Sequence, residues 1–289
     1  MKIGVVGAGL MGGEIALVFA LGGFEVLLHD RDAAVLRRAI DRQTALLDKG
    51  VARGMYAASD KDEALARITP VAAIDQLSEC DLVSEAVFEA LDVKQAVLGA
   101  LDAICKPGCI LTSNTSTLPI STLSAALAPA RRPAFVGAHF FSPVSRMALV
   151  EVISSFDTAP ATSARVIEIL QRIGKAPIVV KDVAGFAVNR LLHAMLIEAV
   201  KLVEEGVATP EDLDTACRLG LGHPIGPFAL MDAVSSGLCL QVQQIMHDAY
   251  GERFRPPALL KQRVAAGFVG AGRRGWTRSS IEGAPKAEQ

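Results

Sequence analysis

What the 289 residues lack narrows the field first. There is no excess charge of one sign. Lys plus Arg number 29 and Asp plus Glu 31, for a net charge of −2, whereas a general nucleic-acid binder is usually basic. No uncharged apolar run reaches the roughly 18 residues that a membrane span needs. Met1 and Lys2 lead straight into Ile3-Gly4-Val5-Val6, which leaves no room for a signal peptide. There is no Arg/Ser-rich transit segment either, so a cytoplasmic protein is expected. The five cysteines (Cys80, Cys105, Cys109, Cys217, Cys239) form no CxxC pair. Cys105 and Cys109 have no His or Cys nearby to complete a zinc site, so reduced, mostly buried thiols and no metal are expected. Global disorder is excluded by 51% hydrophobic and 21% charged residues. At about 150 residues per domain the length suggests two domains, and a core of that size needs no disulfide or metal staple.

What is there alternates between strand and helix. Lys2–Val6 is a short β-branched run, and a glycine turn follows. Ile15, Leu17, Val18 and Leu21 form a helical stripe closed by Gly22-Gly23, and Glu25–His29 reads as a buried strand. The spacing predicts a helix over Asp32–Lys49 and further helix over 50–67. Strands are predicted at Asp81–Ala86, Cys109–Thr112, Ala134–His139, Leu149–Ile153 and Ile178–Val180. Helices are predicted at Val93–Ile104 and Thr162–Ile173. This alternation implies a mostly parallel sheet covered on both faces, an α/β doubly wound fold. After Asp182 the strand signal stops. Gly185–Glu205, Pro210–Leu219, Ile225–Tyr250 and Pro256–Ala266 all read as helix, which sets the domain boundary at 1–183 and 184–289. Arg273–Gln289 is polar and reads as a loose tail.

Gly7-Ala8-Gly9-Leu10-Met11-Gly12 follows the first strand and opens a helix, and Asp30 ends the next strand eighteen positions beyond Gly12. Each glycine has a physical task. Gly7 allows the tight turn, Gly9 lets the backbone approach a pyrophosphate, and Gly12 lets helix and strand pack closely. The helix start offers unpaired N–H groups to the phosphates. Asp30 is placed to accept hydrogen bonds from the adenine-ribose hydroxyls. The cofactor read from this pattern is a dinucleotide, NAD, because a carboxylate at Asp30 repels the 2′-phosphate of NADP.

Only five histidines are present. His29 reads as incidental, His223 and His247 have no evident partner, and His193 reads as structural. His139 ends a predicted strand where an open α/β sheet puts its ligand crevice. Glu151 lies twelve residues later, inside the apolar run Leu149-Val150-Glu151-Val152-Ile153, where an unpaired acid is costly. Pairing the two offsets that cost and makes a proton acceptor, as oxidation of an alcohol by NAD requires. A structural salt bridge fits the spacing equally well. Ser113-Asn114-Thr115-Ser116 closes another strand at the same edge. It reads either as a polar turn, with Thr117 or Ser121 capping the next helix, or as hydroxyls and an amide at the crevice mouth. Asn189 opens the long helix and could cap it or point at the crevice.

Together the segments GAGLMGGEIA (7–16), DLVSEAVFEALDVK (81–94), SNTSTLPI (113–120), HFFSPV (139–144), LVEVI (149–153), AGFAVNRLL (184–192) and LGLGHPIGPFALMD (219–232) resemble the L-3-hydroxyacyl-CoA dehydrogenase family. The likeness runs to about residue 276. It implies a Rossmann-type domain followed by a helical substrate-binding and dimerisation domain. It also implies NAD-dependent interconversion of 3-hydroxyacyl-CoA and 3-ketoacyl-CoA in fatty-acid β-oxidation. By resemblance His139 is the general base and Glu151 its orienting partner. Ser116 and Asn189 bond the substrate's reacting oxygen or thioester carbonyl. Gly7, Gly9, Leu10, Met11, Gly12 and Asp30 carry the cofactor, with Asn114 at its site, and Glu89 and Lys94 lie near its nicotinamide side. The partners implied are an acyl-CoA substrate, held in the crevice between domains, and a second copy of the chain, with no nucleic acid and no membrane.

Three departures from the family pattern stand out. Ser142 replaces the usual Asn after His-Phe-Phe. Ser235-Ser236-Gly237 replaces Gly-Leu-Asp. The usual Lys-Thr-Gly-x-Gly-Phe-Tyr ending is reduced to Gly272-Arg273-Arg274-Gly275-Trp276. The competing readings are a gulonate-type dehydrogenase of a free hydroxy acid and a catalytically silent NAD-binding protein. The β-hydroxyisobutyrate-type enzymes, which rely on a lysine, fit less well than the His139–Glu151 pair. Lys49, Arg53 and Lys61 are candidates for the CoA 3′-phosphate, and helix-surface charge explains them equally.

Overall fold

The computed structural model describes residues 1–277, so the part of the predicted tail from 278 onward lies outside the described residues. The chain divides into two compact units, Met1–Val183 and a second from Ala184 onward.

The first unit is an eight-stranded, Rossmann-like sheet. Its strands are β1 (Lys2–Val6), β2 (Glu25–His29), β3 (Ile68–Val71), β4 (Leu82–Glu85), β5 (Ile110–Ser113), β6 (Phe135–Phe140), β7 (Leu149–Ser154) and β8 (Ala176–Lys181). They lie in the order β3-β2-β1-β4-β5-β6-β7-β8. All neighbours are parallel except β6 and β7. Its helices are α1 (Leu10–Leu21), α2 (Ala33–Ala52), α3 (Ala58–Ala66), α4 (Leu91–Ile104), α5 (Ile120–Ser124) and α6 (Pro160–Arg172). Helix α1 is apolar apart from Glu14 and is buried continuously from Gly12 to Ala20, as a helix without a polar face must be. The order of strands reverses between β1 and β4, so a crevice opens beyond their carboxyl ends.

The further helix expected over 50–67 is present but interrupted. Helix α2 stops at Ala52, Gly54 turns the chain at φ +70°, and α3 begins at Ala58. Strand β3 was not expected at all. Ile68-Thr69-Pro70-Val71 is short and carries a proline, which removes a ladder donor, and it survives because β3 is an edge strand. Helix α5 is also capped differently. Neither Thr117 nor Ser121 caps it; the Asp182 carboxylate reaches back from beyond β8 to accept Ile120 N–H at 2.8 Å and Ser121 N–H at 2.7 Å.

The second unit is helical: α7 (Val188–Glu204), α8 (Pro210–Gly220), α9 (Pro227–Val234), α10 (Ser236–Tyr250) and α11 (Ala258–Ala265). Leu196, Val200, Phe228, Met231, Leu260 and Trp276 share its core. The helix expected over Ile225–Tyr250 is broken at Ser235, which sits at φ +98° and accepts Gly237 N–H on its own hydroxyl at 3.2 Å. That conformation suits glycine, which explains why the family pattern places one there. This departure and the altered 272–276 segment sit together. Ser236 Oγ accepts the Trp276 indole N–H at 2.9 Å, buried among the helices. Asp232 accepts the backbone N–H of Trp276 at 2.8 Å and of Thr277 at 3.1 Å. A changed helix start and a changed chain ending thus supply each other's partner. No helix among the described residues is long and apolar enough to cross a membrane.

Candidate active site at the carboxyl edge of the sheet

The glycine turn sits between β1 and α1. Gly7 has φ +96°, and a Cβ there would stand 2.6 Å from Ala86 O in the turn after β4. At Gly12 a Cβ would stand 1.8 Å from Gly7 O, so helix and turn touch as the spacing requires. At Gly9 a Cβ would meet nothing within 4 Å. The open space faces a helix start with no side-chain cap, which is a cradle for a pyrophosphate. Leu10 is exposed beside it, and Met11 packs on the core. Asp30 binds the same turn: its carboxylate accepts Ala8 N–H at 2.9 Å and Asp32 N–H at 3.0 Å. These residues fit a dinucleotide.

The turns after β4 and β5 are tied together by a carboxylate the sequence reading passed over. Glu85 is completely buried and accepts Val87 N–H at 2.8 Å, Lys94 Nζ at 2.8 Å and Ser113 Oγ at 2.5 Å. The signal was available, since Glu85 ends the apolar strand Leu82-Val83-Ser84 and an acid there needs partners as Glu151 does. Lys94 is buried too. Its ammonium is spent on Glu85, on Val87 O at 3.2 Å and on Glu89 at 3.3 Å. Glu89 in turn organises the turn containing Ser116. Its Oε1 accepts Thr115 Oγ at 2.6 Å, Ser116 N–H at 2.8 Å and Thr117 N–H at 2.9 Å, with Ser116 Oγ at 3.3 Å. Burial would raise the Glu89 carboxyl. The Lys94 charge and these hydrogen bonds outweigh it and hold the group below the usual carboxylate range.

Asn114 joins this turn to β6 by accepting Phe140 N–H at 2.8 Å. One residue earlier on β6 is His139. In the antiparallel ladder of β6 and β7 it stands directly opposite Glu151. Residues opposite each other point to the same face, and His139 Nδ1 lies 2.8 Å from Glu151 Oε2. Glu151 is completely buried and His139 nearly so, with the Phe141 ring 4.5 Å from the imidazole. A carboxylate on Nδ1 fixes the tautomer with the proton on that nitrogen and leaves Nε2 as the basic one. His139, Glu151, Ser116, Asn114, Glu89, Lys94, the glycine turn and Asp30 therefore follow one another along a single sheet edge. Asn189 belongs to the helical unit, as the second residue of α7. Of the basic candidates on the α2–α3 segment, Lys61 is paired with Asp48. Ser142 is exposed just beyond Phe141.

Residues 2–183 match the description of the 3-hydroxyacyl-CoA dehydrogenase NAD binding domain, and residues 185–277 that of the C-terminal domain of the same family. The chain belongs to the 3-hydroxyacyl-CoA dehydrogenase family. It is thus an NAD-dependent oxidoreductase. The 3-hydroxybutyryl-CoA dehydrogenase of Bradyrhizobium diazoefficiens is 38% identical over 270 residues, covering 93% of this chain and 92% of that one. That of Clostridioides difficile is 37% identical over 276 residues, covering 93% and 96%. The crystal structure of the (S)-3-hydroxybutyryl-CoA dehydrogenase from Ralstonia eutropha superposes with a TM-score of 0.91 at 38% identity, covering 95% of this chain and 97% of that one.

Proposed function

We propose that this family member oxidises the C3 hydroxyl of an L-3-hydroxyacyl-CoA to the 3-ketoacyl-CoA, and runs the reverse, with His139 and Glu151 as the acid–base pair. NAD, when bound, supplies the hydride acceptor. His139 Nε2 takes the hydroxyl proton in oxidation and returns it in reduction. Glu151 holds Nδ1–H and lowers the energy of the imidazolium, so that the proton can leave as the hydride does. Ser116 bonds the reacting oxygen or the thioester carbonyl, in a turn kept rigid by Glu89. Asn189 does the same from α7, a role carried by the family likeness alone. Gly7, Gly9, Leu10, Met11 and Gly12 cradle the pyrophosphate, and Asp30 takes the ribose. Asn114 and Glu89 flank the nicotinamide side, and Lys94 serves there by bracing Glu89 and Glu85 from beneath. The single observation that carries the reading is the 2.8 Å bond between a near-buried histidine and a fully buried carboxylate at the sheet edge.

The same proposal extends to place and assembly: a cytoplasmic homodimer, joined through the helical unit, working in β-oxidation. Exposed Leu191, Val207, Leu219 and Leu221 on that unit support a second copy there.

Purified protein, NADH and acetoacetyl-CoA provide the test, read as loss of NADH absorbance. Turnover on C4 to C10 3-ketoacyl-CoAs is expected. Turnover on a free hydroxy acid with none on the CoA thioesters would replace this reading by that of a gulonate-type enzyme.

A further inference from the structure

The adenosine end of the cofactor site contains a charge that no sequence motif announces. Arg42 lies on α2, and its side chain crosses to the glycine turn. Its Nη2 donates to Ala8 O at 3.1 Å and to Gly9 O at 3.2 Å. Ala8 therefore holds two opposite charges at once. Its N–H goes to the Asp30 carboxylate and its C=O to the Arg42 guanidinium. Arg42 and Asp30 are nonetheless not an ion pair, and Arg42 pairs with no carboxylate among the described residues. A guanidinium has five N–H donors, and only those on Nη2 are used, so Nε and Nη1 remain for a ligand.

The segment carrying Arg42 is held firmly. The next residue, Gln43, is completely buried and donates to Gly13 O at 2.6 Å, pinning α2 against the start of α1. Arg31, beside Asp30 in sequence, is exposed and makes no bond among the described residues, so nothing organises it.

We propose that Arg42, and not Arg31, is the cofactor-specificity partner of Asp30: a preset 2′-phosphate ligand that the Asp30 carboxylate keeps from use. The idea rests on the assignment of Asp30 to the adenosine ribose. With Asp30 in place a 2′-phosphate meets a like charge, which costs about a hundredfold in affinity. Without it, a fixed guanidinium next to the turn offers a charge-assisted bond, worth about ten- to hundredfold.

The test titrates 5′-AMP and 2′,5′-ADP, which differ only by the 2′-phosphate, into the parent protein and into Asp30→Ala, Asp30→Ala/Arg42→Met and Asp30→Ala/Arg31→Met by calorimetry, which needs no turnover. The parent is expected to prefer 5′-AMP by about a hundredfold. Asp30→Ala should tighten 2′,5′-ADP by about tenfold or more, and adding Arg42→Met should remove that gain while Arg31→Met leaves it. If Arg31→Met removes the gain and Arg42→Met does not, the assignment to Arg42 is overturned. Equal losses for both ligands with Arg42→Met would also overturn it, since the arginine would then only shape the turn. If Asp30→Ala leaves the ratio of the two ligands unchanged, the reading of Asp30 itself fails. Asp30→Ala/Arg42→Lys guards against misfolding: it keeps the charge and should keep part of the gain.

Discussion

Glu151→Gln removes one charge and almost no volume. The carboxylate is completely buried, and its oxygen stands 2.8 Å from His139 Nδ1. A glutamine oxygen can still accept Nδ1–H, so the tautomer survives in one orientation of the amide. What is lost is the attraction between imidazolium and carboxylate when His139 holds the substrate's proton. With charge centres about 4 Å apart and an effective dielectric of about 20, that attraction is about 4 kcal/mol. The whole of it would be worth about a thousandfold in rate. The amide dipole recovers part, so kcat for acetoacetyl-CoA reduction should fall by about 10²–10³. The dissociation constant of NADH, read by fluorescence titration, should stay where it is, because the pair does not hold the dinucleotide. Glu151→Asp keeps the charge but withdraws it from the ring, and its rate should lie between the two. A glutamine variant that is folded, binds NADH and turns over within about threefold of the parent would refute the reasoning, because a stabilising charge at this distance cannot be worth so little. The buried pair would then be a structural bridge.

Three further outcomes are expected. His139→Gln should retain NADH binding and lose about 10²–10⁴ in turnover, the usual share of a positioned acid–base group, and near-normal turnover would remove His139 from the mechanism. His193 is buried in the helical unit, and burial holds its imidazole down at about 4 against an ordinary 6.5. The unfolded chain then takes up this proton first, so stability is full above about 6.5 and falls as pH drops toward about 4, by about 3 kcal/mol at most. Urea titrations at pH 7 and pH 4.5 should show a smaller loss in His193→Leu than in the parent, and equal losses would put the acid sensitivity elsewhere. Trp276→Ala should destabilise the helical unit by about 3–5 kcal/mol. A double-mutant cycle with Ser236→Ala should show coupling of at least about 0.5 kcal/mol, and strict additivity would mean that the indole–hydroxyl bond adds nothing.

The strand-turn-helix with Gly7, Gly9 and Gly12, the acid at the end of β2, the parallel alternation and the helical second half could all be read from the chain alone. Each is a local pattern, set by backbone freedom, side-chain period or composition over a few residues. The pairing of His139 with Glu151 has a different origin. A spacing of twelve fits many geometries, and only the antiparallel register of β6 and β7 puts the two opposite each other on one face. Register depends on which strands become neighbours, and that is decided by packing over the whole sheet. The same holds for the bracing of the Ser116 turn. Glu85, Lys94 and Ser113 come from β4, α4 and β5, and nothing local marks them as one cluster. Nothing local sets Arg42 apart from the other charges of α2; only the packing of α2 beside α1 brings it to Ala8 and Gly9. Strand β3 was hidden because its proline argues against a strand, and only its place at the sheet edge removes the objection. The two altered motifs of the helical unit looked like separate losses, and folding joins Ser236 to Trp276 across forty residues. Local propensity wrote the elements of this protein; long-range packing chose which polar groups meet, because a buried charge or donor is stable only where the folded chain brings it a partner.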